Sequence, residues 1–161
     1  MSEEADAVIA TATKLGVTVG CAESLTGGLV AAEMVSVPGA SAAFRGSIVA
    51  YDSMLKNDLL GVDASLLAST GAVTAEVAGA MAEGALARLG VDVAVATTGV
   101  AGPDPDPVSG EAPGAVFIAV AGGSLGTLVR EMSLEGDRDE IRQRATRAAL
   151  QALLDGLSTR E

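Results

Sequence analysis

Ser24, Tyr51 and Lys56 are the residues of this chain whose types and settings could do chemistry. Ser24 sits in AESLTGG, residues 22–28, between a compact β-branched run and the apolar stretch LVAAEMVS. A serine between strand and helix lies beside backbone N–H groups that can bind an anion or stabilise an oxyanion. An ordinary cap and tight turn would use the same residues. Lys56 is one of only two lysines, the other being Lys14. A buried lysine loses basicity and can activate a serine as a neutral amine. An exposed one on a short helix has no such role. Tyr51, the only tyrosine, stands at the end of an apolar run, where it could relay a proton or simply pack. Ser53-Met54-Leu55-Lys56 is a rival arrangement, because S-x-x-K places hydroxyl and amine on one helical face. Its S-D-N and K-T-G companions are missing, and spacing leaves Ser53 and Ser24 both open.

Composition removes the commoner alternatives. Among 161 residues there is no histidine, which excludes a Ser-His-Asp triad, a Cys-His pair and histidine-bearing zinc sites. The single cysteine, Cys21, cannot form an internal disulfide, and its place in a buried-looking strand suits a small core residue. Ten basic against 21 acidic residues give a net charge of -11, which argues against a nucleic-acid face or an anionic membrane surface. The apolar runs are too short to span a bilayer, and the acidic start Met1-Ser2-Glu3-Glu4 is unlike a signal peptide. A cytoplasmic protein is the expectation. Asp104, Asp106 and Glu111 could offer oxygen ligands to a hard cation, or form a solvated turn. Five of the eight arginines lie in the last 24 residues; of these, Arg138 and Arg142 could reach an anionic ligand.

The elements that must position these side chains follow from periodicity and punctuation. Residues 5–15 read as an amphipathic helix, VTVGC at 17–21 as a buried strand and 29–36 as a helix broken by Val37-Pro38-Gly39. SIVAY at 47–51 reads as a strand, 53–60 as a short helix and Leu66–Ala68 as a turn or another short helix. Thr74 should cap an alanine-rich helix through Leu89, ended by Gly90 and followed by a strand over 91–99. Residues 99–113 hold four prolines, three glycines and three carboxylates, so they must be a loop, long enough for a binding rim. Thr98 and Gly99, at the strand end before it, could line the same cleft. Segments 114–122 and 126–134 read as a hairpin through Gly122-Gly123-Ser124-Leu125, and Asp137 should cap a last helix to about Leu157. Nothing divides these elements. The expectation is one α/β domain over 1–161: a three-layer α/β/α arrangement around a mixed, mostly parallel sheet, with a hairpin in its C-terminal half. Strand order is not readable.

Six blocks in order, AESLTGG (22–28), GSIVAYDSMLKNDLLGV (46–62), GAVT (71–74), TTGVAGPD (97–104), PGAVFIAVA (113–121) and GDRDEIRQRAT (136–146), closely resemble the CinA C-terminal domain family. That family includes amidohydrolases that deamidate nicotinamide mononucleotide. The resemblance covers nearly the whole chain and implies a stand-alone version, without the additional N-terminal domain of the larger family proteins. It places the family's catalytic serine on Ser24, its tyrosine on Tyr51 and its lysine on Lys56, and so favours Ser24 over Ser53. Thr98 matches a hydroxyl-bearing position, and Arg138 matches an arginine to which the resemblance assigns the substrate phosphate. Leu25 stands where the family can have cysteine. The implied reaction is attack of Ser24 on the carboxamide, with Lys56, coupled through Tyr51, moving the proton. Backbone donors over Ser24–Gly28, including Thr26, Gly27 and Gly28, with Thr98 and Gly99 beside them, would hold the oxyanion and substrate. The products would be nicotinic acid mononucleotide and ammonia. The implied partner is a small-molecule nucleotide, with no cofactor, no metal, no nucleic acid and no membrane, in a homo-oligomer. A non-catalytic nucleotide-binding domain and a carboxylate–metal phosphohydrolase built on Asp104 and Asp106 are the alternatives.

Overall fold

The computed structural model describes residues 2–123 and 126–159. Helix α1 (Glu3–Leu15) starts at Ser2, whose side chain accepts from Ala5 N–H, and buries Ala5, Val8, Ile9 and Ala12. Strand β1 (Val19–Glu23) leads into the Ser24 turn and α2 (Leu29–Ser36). After a 3-10 turn at Ala40–Ala42 come β2 (Phe44–Val49), α3 (Ser53–Leu60) and α4 (Ala64–Thr70). Helix α5 (Ala75–Leu89) is capped by the Thr74 side chain and closed by left-handed Gly90. Strands β3 (Val93–Gly99), β4 (Ala115–Ala121) and β5 (Thr127–Ser133) precede α6 (Arg138–Ser158). Asp137 and Glu140 close a reciprocal capping box at the start of α6, which satisfies two otherwise orphan amides.

The five strands form one sheet in the order β2-β1-β3-β4-β5. β1 pairs in parallel with β2 and β3, whereas β4 is antiparallel to both β3 and β5. Four strands therefore run one way and β4 alone opposes them, which is the expected mixed sheet with its hairpin. Ser124 and Leu125 of the expected hairpin turn lie outside the described residues.

Alternation along the strands splits the core in two. Val93 and Val95 of β3 and Val116 and Ile118 of β4 meet α1, α2 and α6, together with Val30, Met34, Leu150 and Leu153. Ala94, Ala96, Ala119 and Phe117 face the α5 side with Met81, Ala82 and Leu60. The small strand residues on that face let α5 lie close. Gly84 continues the theme, since a Cβ there would collide with the Leu60 carbonyl oxygen. Helices thus cover both faces of the sheet. Among the described residues no helix is long and apolar enough to cross a membrane.

Two strands are displaced by two residues or more at both ends from where periodicity puts them. β1 runs over Val19–Glu23 rather than 17–21, because Thr18 is tied to the Asp92 side chain and the ladder opens at Val19. Its end carries a glutamate that is fully buried, a placement a charge tolerates only with a full set of partners. β2 runs over Phe44–Val49 rather than 47–51. It is an edge strand of half-exposed residues, so hydrophobic pattern marks its start poorly.

Candidate active site

The Ser24 turn is built from Glu23 upward. The Glu23 carboxylate accepts from the amides of Gly28, Val30 and Ala31 and from the hydroxyls of Thr26 and Ser47. These bonds measure 2.8–3.1 Å. Helix α2 has no side-chain cap at Gly28 and no acidic residue in its first turn. Glu23 supplies both from five residues before, satisfying orphan amides and placing negative charge at the positive end of the helix. The turn itself needs left-handed backbone at Gly27 and Gly28, with φ of 57° and 101°. From the other side, Arg142 of α6 donates to the carbonyls of Leu25 (2.9 Å) and Thr26 (3.3 Å). Thr97 of β3 joins Thr26 hydroxyl to hydroxyl, and its carbonyl receives the Ser24 N–H.

Lys56 enters from α3, whose first turn is fixed by the Asp52 side chain accepting from Met54 N–H. Lys56 is 1% exposed, and its ammonium lies 2.9 Å from Ser24 Oγ, 2.8 Å from the Ala50 carbonyl and 3.0 Å from the Tyr51 carbonyl. Burial lowers its pKa to about 8, against the opposing pull of Asp52 and Asp106. The three partners account for all three N–H bonds of a charged lysine. When the amine is neutral, the two carbonyls still take its two N–H bonds, and its lone pair is left facing the Ser24 hydroxyl. The lowered pKa makes this neutral form more accessible near neutral pH than it is for an ordinary lysine.

An open cleft of about 220 Å³ lies over this pair, and Tyr51, Thr98, Gly99 and Arg138 also line it. The Tyr51 ring is 60% exposed, and its hydroxyl accepts from Arg138 at 3.1 Å. Lys56 meets the backbone carbonyl of Tyr51 and not its phenol. Arg138 also donates to the Gly102 carbonyl at 2.6 Å, so it ties the Tyr51 rim to the following loop. The Thr98 hydroxyl donates to Ala72 O at 2.7 Å, which commits its proton away from the cleft. Thr26 is fully buried, and Thr26, Gly27 and Gly28 shape the turn behind Ser24 without lining the cleft. The amides of Ser24, Gly27 and Gly28 are engaged by Thr97, Ser24 and Glu23 respectively. Ser53 is in the cleft wall, but the hydrogen bonds of Lys56 go to Ser24, Ala50 and Tyr51.

Other polar candidates separate cleanly. Of the two arginines expected near an anionic ligand, Arg138 faces the cleft, whereas Arg142 clamps the turn from behind. Cys21 is buried beside Glu23, and burial pushes its thiol well above the ordinary range, which keeps it protonated and inert. Among the described residues no group of three or more His, Cys, Asp or Glu side chains converges as a metal site. Glu23, Thr97 and the clamping role of Arg142 escape a reading of the sequence. The available signal was α2 itself, a helix whose N-cap glycine has no side chain to cap it and stands five residues after a lone acid.

With this geometry in view, the relatives are informative. The model of the CinA C-terminal domain matches residues 2–157. A CinA-like protein of Frankia casuarinae is 48% identical over 147 residues, covering 89% of this chain and 33% of that protein. The chain thus spans about a third of the length of the curated relatives it matches. A crystal structure of a CinA superfamily protein from Klebsiella pneumoniae superposes with a TM-score of 0.92 at 29% identity, covering 98% of this chain and 97% of that one. The competence/damage inducible protein CihA of Agrobacterium tumefaciens superposes with a TM-score of 0.90 at 38% identity, covering 97% and 94%.

Proposed function

The chain belongs to the CinA C-terminal domain family, and from that premise we propose that it hydrolyses the carboxamide of nicotinamide mononucleotide. The observation that carries the chemistry is the 2.9 Å bond between a buried lysine amine and the Ser24 hydroxyl. Neutral Lys56 takes the Ser24 proton as Oγ attacks the amide carbon. The tetrahedral oxyanion collapses, Lys56 returns the proton to the departing nitrogen, and ammonia leaves. Water then attacks the ester with Lys56 again as base, the acid nucleotide departs, and Ser24 regains its proton. With three amides of the turn already engaged and Thr26 buried behind the cleft, the amide of Leu25, which lines it, is the candidate oxyanion donor. Thr98 and Gly99 act as cleft wall, while Thr26, Gly27 and Gly28 hold the nucleophile in place. Tyr51 and Arg138 meet the substrate at the rim, with Arg138 taking the phosphate.

The partner in this reading is a small nucleotide, and no step needs a metal or cofactor. A homo-oligomer is part of the proposal, to be read by light scattering. The activity is tested by incubating the metal-stripped chain with nicotinamide mononucleotide and assaying ammonia and the acid nucleotide together. Equal yields of both in the presence of chelator are expected. Nucleotide binding without ammonia release would replace this reading with that of a binding domain.

A further inference from the structure

We propose that Asp106 selects the positively charged nicotinamide ring, making the cleft a receptor for a ligand that is cationic at one end and anionic at the other. This rests on the amidohydrolase reading above and goes beyond it by assigning the ring's charge to one side chain.

The loop between β3 and β4 carries three acids, but they are placed differently. Asp104 is exposed, whereas Asp106 is half-buried and lines the same cleft as Ser24, Lys56 and Arg138. Its carboxylate is fixed although the loop is rich in proline. Oδ2 accepts from Ser109 N–H at 2.7 Å, the Ser109 hydroxyl at 2.8 Å and Val108 N–H at 3.2 Å. The backbone then closes the loop through Asp106 N–H to Glu111 O and Gly110 N–H to Asp106 O. Gly71 leaves the carboxylate its space, since a Cβ there would stand 3.1 Å from Oδ2. All three bonds fall on one oxygen, which leaves Oδ1 outside this local set.

The charge of Asp106 reaches the catalytic pair. It favours the charged form of Lys56, and Lys56 in turn helps to hold the Asp106 carboxyl below its ordinary value. On the Asp106 group itself burial pushes upward, and the Ser109 and Val108 hydrogen bonds outweigh it. A cleft that bound only an amide and a phosphate would gain nothing from a fixed carboxylate beside a lysine it needs neutral. An N-ribosylated nicotinamide changes the balance: its ring nitrogen is quaternary and carries a full positive charge. With Arg138 for the phosphate and Asp106 for the ring, both charges of the substrate find an opposite partner. Deamidation then adds a carboxylate to the product, a like charge to Asp106 that favours release.

The test compares two amides on the same chain: nicotinamide mononucleotide, and benzamide riboside 5′-phosphate, which keeps carboxamide, ribose and phosphate but has a neutral ring. Asp106→Asn retains an oxygen to accept the Ser109 bonds, and a thermal melt checks its fold. The expected result is a loss of about tenfold or more in kcat/KM for the mononucleotide, chiefly in KM, with the neutral analogue changed less than about threefold. Asp106→Glu should recover most of that loss. An equal loss on both substrates would assign Asp106 to Lys56 or to loop structure and overturn the proposal, as would no loss on either. Ammonia release by the wild-type chain with no such discrimination sinks Asp106 alone. No ammonia release by the wild-type chain from the mononucleotide sinks the hydrolase reading and this inference with it.

Discussion

The Ser24 turn and the 100–114 loop border one cleft, yet they are held by different means. The turn is gripped from three directions. Glu23 binds three amides and two hydroxyls, Arg142 takes two carbonyls, and Thr97 meets the Ser24 amide. The loop is mostly exposed and is joined to the rest by Val100 and Gly114 backbone bonds and by Arg138 to Gly102. Its other bonds are largely internal, around Asp106 and Ser109. A nucleophile has to be placed to within a fraction of an ångström, so the wall that carries it is over-determined. A wall that recognises a ligand tolerates variation, and a loop on a rigid scaffold is enough.

Breaking the rigid wall and its base should have the largest effects. Lys56→Met should lower kcat by about a thousandfold or more, because Ser24 loses its base; steady-state ammonia release checks it. In wild type, kcat/KM should rise with pH with a midpoint near 8, where half of Lys56 is neutral, and level off above it. Lys56→Met also has a stability signature. The unfolded lysine keeps its proton to 10.5, while the folded one keeps it only to about 8. Folding therefore releases a proton between those values, and wild-type stability should rise with pH across that window. The total is on the order of 3 kcal/mol by linkage, and Lys56→Met should lose this component in denaturant titrations.

Glu23→Gln is the next largest. An amide nitrogen would face donors in place of one acceptor oxygen, so we expect about 3 kcal/mol of destabilisation in urea unfolding. Turnover should fall by roughly ten- to a hundredfold with KM little changed, the pattern of a misplaced nucleophile. Arg142→Met removes two hydrogen bonds to the turn while keeping the packed stem. About 1 kcal/mol of stability and about tenfold in kcat are expected, measured in the same two assays. Asp104→Asn, on the adaptable wall, should change stability by less than about 0.5 kcal/mol and kcat by less than about twofold. A comparable kcat loss in Asp104→Asn and Arg142→Met would erase the contrast between the walls.

How much was legible in the sequence follows the range of the interactions. Thr74 and Asp137 announce their helices because a cap acts on amides three residues away. The alternation of β3 and β4 likewise reports a sheet buried on both faces. Ser24 and Lys56 could be singled out by setting and scarcity, but the bond that joins them spans 32 positions and no spacing rule predicts it. Glu23 looked like one letter of a turn motif; its partners reach to Ser47 and into α2. Arg142 meets the turn across 116 and 117 positions, and Tyr51 meets Arg138 across 87. Those contacts are made by the packing of α6 on β3, β4 and α2 and of α3 on α5, which periodicity describes only as helices with apolar faces.

The account stands on Ser24 as the nucleophile served by Lys56. The direct measurement is ammonia release from nicotinamide mononucleotide by the wild-type chain, Ser24→Ala and Ser53→Ala, each with its fold verified by circular dichroism and thermal melting. The prediction is turnover in wild type, retention of most of it in Ser53→Ala and a loss of about a thousandfold or more in Ser24→Ala. Full activity in a folded Ser24→Ala protein, or its loss in Ser53→Ala alone, would contradict the account.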